Sequence, residues 1–233
     1  MDTREGKRGI RPRPLTLGIV GCGRMGSACA ELFTAAGFPV LLTSRRGSSA
    51  AACARRHPGA AHTSLEELAA RADILVLATP ILETCSEIAP RIRGAARWKP
   101  VIDVSNPVYG PVGLSTDAPT SAAEMISREL PNISVVKALN CVSARQLVSF
   151  ARRLPPLTIP IAGDDLAAKD LVRFVLEMAG FDVADAGPLD SSRLIESLTQ
   201  LLRQFGQTAE VGDAIGFRLV WATHPATAYG GVA

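Results

Sequence analysis

One hexapeptide restricts this chain more than any other stretch. Gly21-Cys22-Gly23-Arg24-Met25-Gly26 has the spacing G-x-G-x-x-G and stands between two segments of different period. Ahead of it, residues 15–20 form a short apolar run rich in branched side chains. Behind it, residues 25–36 carry apolar side chains at helical spacing and stop at Gly37. A buried strand, a glycine turn and an amphipathic helix, in that order, form the unit that cradles a pyrophosphate. Gly21 allows the tight turn, Gly23 lets the backbone approach the anion, and Gly26 lets helix and strand pack closely. The unpaired N–H groups of the first helical turn, around Arg24 and Met25, then face the phosphates. Glycine makes up 20 of 233 residues, so the spacing alone says little, and the flanking strand and helix carry the argument.

The following strand selects the dinucleotide. Residues 39–43 read as a strand that runs directly into Thr43-Ser44-Arg45-Arg46. An NAD site places a carboxylate about 20 residues after the glycine loop, where it accepts hydrogen bonds from the ribose 2′-OH. Here two hydroxyls and two guanidiniums stand there instead, the set that pairs with a 2′-phosphate. NADP(H) is therefore the expected dinucleotide. In an open parallel sheet the strand C-termini line the ligand crevice. That rule puts Ala78, Thr79 and Pro80, which end the strand at 73–79, along the cofactor. It puts Asn106 and Pro107, after the strand at 101–104, near a nicotinamide.

The rest of the chain alternates strand and helix. Apolar runs at 134–139, 158–163 and 181–186 read as strands. Helices are expected at 49–56, 65–71, 83–93, from 122 to about 130, 166–179 and 191–206. Ser64 with Glu67, and Ser121 with Glu124, are capping boxes that open two of them. Continuous apolar strands between amphipathic helices mean an α/β fold: a doubly wound, mostly parallel sheet of Rossmann type. We divide it into a basic leader over 1–14, an NADP-binding domain over 15–187, and a short C-terminal helical extension over 188–233.

Charge and cysteine usage exclude other classes. The leader carries five basic and two acidic side chains, a net +3 that equals the net charge of the whole chain. The remainder is neutral and has no broad basic face for nucleic acid. No apolar run approaches the roughly 18–20 residues of a membrane span, and no signal peptide is evident. Five cysteines without a C-x-x-C, at 22, 29, 53, 85 and 141, fit reduced thiols in the cytoplasm. The three histidines, His57, His62 and His224, have no metal-site spacing, so no metal is expected.

With these residues in place, the chain resembles the coenzyme F420-dependent NADP oxidoreductase family over roughly residues 15–220. The resemblance rests on GCGRMG, on TSRR, on Gly163-Asp164-Asp165, and above all on the contiguous DAGPLDSSRLIESLTQLL of residues 185–202. The segment VKALNCVSA, residues 136–144, is closer to the cytosolic reductase domain of six-transmembrane ferric reductases, which passes hydride from NADPH to a flavin. Asn140 stands where deazaflavin-using archaeal members have histidine. The resemblance implies hydride transfer between NADP(H) and F420, with FAD or FMN as the alternative acceptor. It implies that Asn140 and Ser143 contact the acceptor ring, and that the last helix walls the acceptor pocket and packs a partner in a homodimer.

Such a step needs two flat rings held close and no protein acid or base, so no catalytic side chain is assigned. Lys137 and Asn140 also fit a K-x-x-N pair, as in hydroxyacid dehydrogenases, although here the pair ends a strand. Arg193 and Glu196 have the spacing of an i, i+3 ion pair. An imine or pyrroline-carboxylate reductase is disfavoured because too little chain follows residue 187 for its helical dimerisation domain. A non-catalytic NADP(H)-sensing module remains a further alternative. Replacing Arg45 and Arg46 together by alanine removes charge-assisted bonds of about 1.5–3 kcal/mol to a 2′-phosphate, roughly a ten- to hundredfold weakening for NADPH. NADH affinity should change little in the same titrations. Equal losses for both dinucleotides would contradict the phosphate assignment.

Overall fold

A computed structural model describes residues 14–106 and 120–221. The first unit is as expected: β1 (Leu17–Val20) turns through the glycine loop into α1 (Arg24–Ala35). It is followed by β2 (Val40–Thr43), α2 (Gly47–Arg56), β3 (Ala60–His62), α3 (Leu65–Arg71) and β4 (Ile74–Leu77). A helical run then comprises α4 (Ile81–Glu83), a π-helical stretch (Thr84–Ile88) and α5 (Ala89–Ile92). Next come β5 (Pro100–Asp103), α6 (Ala122–Glu129), β6 (Ser134–Lys137), α7 (Leu147–Ala151), β7 (Thr158–Ile161), α8 (Leu166–Met178) and β8 (Asp182–Asp185). A 3₁₀ turn (Leu189–Ser191) leads into α9 (Ser192–Thr208).

Six strands form one parallel sheet in the order β3-β2-β1-β4-β5-β6. The connection reverses between β1 and β4, so the crevice of a doubly wound sheet opens there. Pairing is in step across the sheet. Val20 is opposite Thr43 on one side and Leu77 on the other, Leu77 is opposite Asp103, and Asp103 is opposite Lys137. The ends of five strands are thereby level, along one edge. Successive side chains fill opposite layers: Ile19, Val76 and Ile102 pack against α1 and α8, whereas Val20, Leu77 and Val101 pack against α3 and α6. Burial on both faces explains why these strands read as continuous apolar runs.

Several elements depart from expectation. β3 is a three-residue edge strand, Ala-Ala-His, too short and too exposed to show a period. The expected helix at 83–93 starts earlier and carries the π stretch just ahead of Pro90, whose ring and missing N–H disfavour regular α-helical pairing with the preceding turn. β7 and β8 do not join the main sheet. They form a parallel pair of their own, tied to β6 by an antiparallel bridge between Lys137 and Ala162. Pro160, in the middle of β7, lacks the N–H that an interior strand needs, and the Thr158 N–H at its start bonds the Phe217 carbonyl at 2.9 Å. No helix among the described residues is long and apolar enough to cross a membrane.

Both serines cap their helices, Ser64 accepting from the Glu67 N–H at 3.1 Å and Ser121 from the Glu124 N–H at 3.1 Å. Only the second forms a full box, since Glu67 turns to Thr63 and Arg71 while Glu124 accepts from the Ser121 N–H at 2.8 Å. The second does more than cap α6. Glu124 also takes a forked bond from Arg193 on α9, at 2.8 and 2.5 Å. The Ser121 and Ser192 hydroxyls meet at 2.6 Å. Arg193 thus pairs with α6 and not with Glu196, because Arg193 is on the exposed face of α9 and Glu196 on the buried one. Arg193, with help from Ser121, holds the Glu124 carboxyl down to about 2. A carboxyl lowered in the folded state stabilises fully above its ordinary value, about 4.3, and loses that contribution as pH falls through its folded value. Glu124→Gln keeps the cap and removes the charge. In urea unfolding it should be less stable than the parent at pH 7, with the gap closing steadily towards pH 3. A gap independent of pH would show that the ion pair is not its source.

Candidate functional site: a glycine-loop cradle opening into a cleft

The glycine loop has the geometry its spacing implies. Gly21 has φ +103°, and a Cβ there would lie 2.6 Å from the Ala78 carbonyl oxygen. A Cβ on Gly26 would lie 1.8 Å from the Gly21 carbonyl oxygen, so α1 reaches the loop only because that atom is missing. Gly23 differs: a Cβ there would meet nothing within 4 Å. The open space lies at the N-cap of α1, where no side chain caps the helix and no acid stands in the first turn. Unsatisfied N–H groups beside an empty space are the condition for binding an anion, so these residues fit a pyrophosphate. The Gly21 N–H bonds the Thr43 carbonyl at 2.9 Å, which ties the loop to the end of β2. Cys22 points its Sγ at the same carbonyl, 3.6 Å away. Burial, reinforced by Cys53, pushes its thiol up to about 11, so it stays protonated at neutral pH.

Thr43 is buried, while Ser44 folds back onto the Arg46 carbonyl at 2.6 Å and thereby shapes the turn into α2. Arg45 and Arg46 are exposed at the start of α2. Arg45 has one partner that the sequence did not reveal, Glu83 on α4, at 3.7 Å. Even so, the end of β2 carries two guanidiniums and no carboxylate of its own.

From the loop, a cleft of about 640 Å³ runs across the level strand ends to α9. It brings together Arg24, Met25, Ala78, Thr79, Pro80, Asn106, Asn140 and Ser143. Gly21, Cys22, Gly23, Gly26, Thr43, Ser44, Arg45 and Arg46 do not line it and form the cradle beside its glycine-loop end. Pro107 lies outside the described residues. The far wall holds residues that sequence reasoning missed: Arg145 after β6, and Thr199, Leu202 and Arg203 on α9. Their apposition depends on where α9 docks, which no local pattern specifies.

Asn140 is the hinge of the far end. Leu139 before it has φ +62°, an uncommon conformation for a residue with a branched side chain, and the chain turns sharply there. Asn140 donates through Nδ2 to Asn106 Oδ1 at 3.1 Å and to Thr199 Oγ1 at 2.9 Å, while Asn106 Nδ2 returns a bond to the Asn140 carbonyl at 2.9 Å. It therefore clamps the β5 end, the β6 end and α9 together.

Lys137 plays no part in the cleft. It is wholly buried and does not line the cavity. Its ammonium meets Asp103 at 2.8 Å, Glu196 at 2.7 Å and the Ser105 carbonyl at 2.6 Å. Three donors have three acceptors, so Lys137 has no proton to spare and the K-x-x-N catalytic pairing is not formed. Glu196 also accepts from the Ala122 N–H at 3.1 Å. Burial raises its carboxyl above the ordinary range although Lys137 pulls the other way.

Residues 2–90 match the family described as D-isomer specific 2-hydroxyacid dehydrogenase, NAD binding domain. The chain is 26% identical over 145 residues to the F420-dependent NADP reductase of Methanocaldococcus jannaschii, covering 59% of this chain and 63% of that one. It is 36% identical over 105 residues to glyoxylate/hydroxypyruvate reductase B of Yersinia pestis, covering 45% of this chain and 31% of that one. The chain thus spans less than two thirds of the length of either of these curated relatives. In fold it is similar to a protein of Arthrobacter sp. FB24 provisionally assigned as an F420-dependent NADP-reductase, with a TM-score of 0.76 and 23% identity over 88% of this chain and 99% of that one. The chain is similar to the F420-dependent NADP reductases, and what the matches share is a nicotinamide-dinucleotide-binding domain of the oxidoreductase kind.

Removing one partner from a buried ionic cluster leaves uncompensated charge. Lys137→Met should therefore cost about 3–5 kcal/mol in urea unfolding, and adding Glu196→Gln should recover part of the loss. A cost below about 1 kcal/mol for the single change would contradict the ionic account of how α9 is held.

Proposed function

We propose that this protein transfers a hydride between NADP(H) and the deazaflavin coenzyme F420. The observation that carries the reading is the continuity of one cleft from the glycine loop to α9. In this reading a dinucleotide seated on Gly21–Gly26 extends its nicotinamide towards Asn106, and the part of the cleft towards α9 takes a second flat ring against Asn140 and Ser143. Arg45 and Arg46 favour the 2′-phosphate of NADP(H) over the free hydroxyl of NAD(H). The sequence similarity to an F420-dependent NADP reductase supports the choice of acceptor.

In the forward direction NADPH and oxidised F420 take up one proton and give NADP⁺ and reduced F420. The hydride leaves the nicotinamide ring carbon for ring carbon 5 of the deazaflavin, and the proton comes from solvent to a ring nitrogen. The chain's part is to seat both rings in contact, and such alignment alone lowers a barrier substantially. A flavin reductase is the second reading, favoured by Asn140 and its neighbours in residues 136–144. A homodimer belongs to the same proposal: Leu194, Leu201 and Phe205 form an exposed apolar stripe on α9, beside the face that walls the cleft.

The test is to mix the purified protein with NADPH and, separately, F420, FAD and FMN, and to follow acceptor absorbance. Bleaching of F420 well ahead of either flavin is the expected result. Bleaching of a flavin alone would favour the second reading, and no bleaching with any of them would sink both.

A further inference from the structure

The cleft carries more positive charge than the chain around it. Outside the leader, acidic and basic side chains balance. The charged residues that line the cleft are Arg24, Arg145, Arg203 and Asp213, three guanidiniums against one carboxylate. Among the described residues none of these three arginines makes a side-chain hydrogen bond or an ion pair, and Asp213 pairs with neither Arg145 nor Arg203. The excess charge in the cleft is therefore not neutralised by the protein itself.

The arginines divide between the two ends of the cleft. Arg24 opens α1 beside the glycine loop, at the dinucleotide's end. Arg203 comes four residues after Thr199 on α9, hence on the same face and about 5.4 Å further along the helix. Thr199 is buried and bonded to Asn140, whereas Arg203 is exposed, so α9 carries that guanidinium from the buried end of the cleft towards its mouth. Arg145 follows Ser143 by two residues on the segment after β6 and is exposed as well. Two cations from two separate elements thus stand at the mouth, beyond the Asn140 and Ser143 positions proposed for the acceptor ring. A guanidinium only donates and stays charged at any working pH, so its complement is an anion, and a cleft concentrates the field of such charges. The dinucleotide has no anion left for this place. In the proposed seating its pyrophosphate is on the glycine loop and its 2′-phosphate at Arg45 and Arg46, at the opposite end.

We infer that Arg145 and Arg203 bind an anionic group, phosphate or carboxylate, on the side chain of the hydride acceptor. The protein then selects acceptors by the charge of the chain attached to the ring as well as by the ring. The inference rests on the reading of the cleft as the seat of two rings, and deepens it. Both arginines determine specificity and touch no reacting atom.

Steady-state reduction of 5-deazariboflavin and of its 5′-phosphate by NADPH, with the full chain, tests it. The two compounds share one ring and differ by the anion. The phosphate should lower KM roughly five- to tenfold at low salt, and that advantage should shrink as ionic strength rises, because exposed charges are screened. Arg145→Gln combined with Arg203→Gln should bring the two KM values together by raising that of the phosphorylated ring, with NADPH affinity retained in fluorescence titration. Equal KM values in the parent protein would overturn the inference while leaving hydride transfer standing. A double variant that keeps the phosphate advantage would overturn it too, and one that weakens NADPH as much as the acceptor would overturn it in favour of dinucleotide binding. The parent's preference and its salt dependence test the inference even if the double variant fails to fold. If neither ring is reduced, the proposed activity fails, and ring fluorescence in the presence of NADP⁺ then decides the inference alone. Tighter binding of the phosphorylated ring that weakens with salt upholds it, and any other pattern overturns it.

Discussion

The common register of the parallel strands is the constraint on which the rest of this molecule depends. Because Thr43, Val20, Leu77, Asp103 and Lys137 are level, the segments that follow them emerge side by side at one edge. A one-residue slip in any pair would reverse its buried faces, so the core that packs both sides of the sheet also enforces the alignment. The glycine loop, the arginine pair and the linings of the cleft are consequences of that alignment. Gly21 and Gly26 then remove the two Cβ atoms that would keep α1 away from it.

A second structural tie completes the site. The sheet supplies a floor, and α9 supplies the far wall only because a buried ionic cluster anchors it. Lys137 and Asp103 come from neighbouring strand ends and Glu196 from the helix. Buried charges of this kind bring little net stability, since desolvation offsets most of the attraction. Their geometry is demanding, however, and in this protein it fixes the rotation of α9 that turns Thr199 towards Asn140. Nearer the surface, Arg193 and Glu124 fasten the same helix to α6. Charges that resemble catalytic groups in the sequence thus act as fasteners, and the charged groups lining the cleft are three arginines, Arg24, Arg145 and Arg203, and Asp213.

What could be read from the sequence follows from where each signal resides. β1, the glycine loop and α1 were legible because period and turn chemistry are local, and the Ser64 and Ser121 caps were legible for the same reason. The edge strand β3 was not, since three small or polar residues carry no period. Nor was the departure of β7 and β8 into a sheet of their own, because apolar strands look alike whichever partner they take. In the site, the residues next to strand ends were identified by topology. Glu83, Thr199 and Arg203 were not, as each meets the site across a long stretch of chain, and Arg145, in the same segment as Ser143, carried no local signal of its own. Arg193 pairs with Glu124 and not with Glu196, and the partners of Lys137 were not legible, because Glu124 and Glu196 reach them only through tertiary packing.

The central claim is that two rings share one cleft and exchange hydride directly. Reduction of F420 with NADPH carrying deuterium at one or the other face of nicotinamide carbon 4 tests it most directly, since hydrogen on carbon 5 of a reduced deazaflavin does not exchange with water. The account predicts deuterium on that carbon from one of the two labelled forms and not from the other. Reduced F420 free of deuterium from both forms would contradict it.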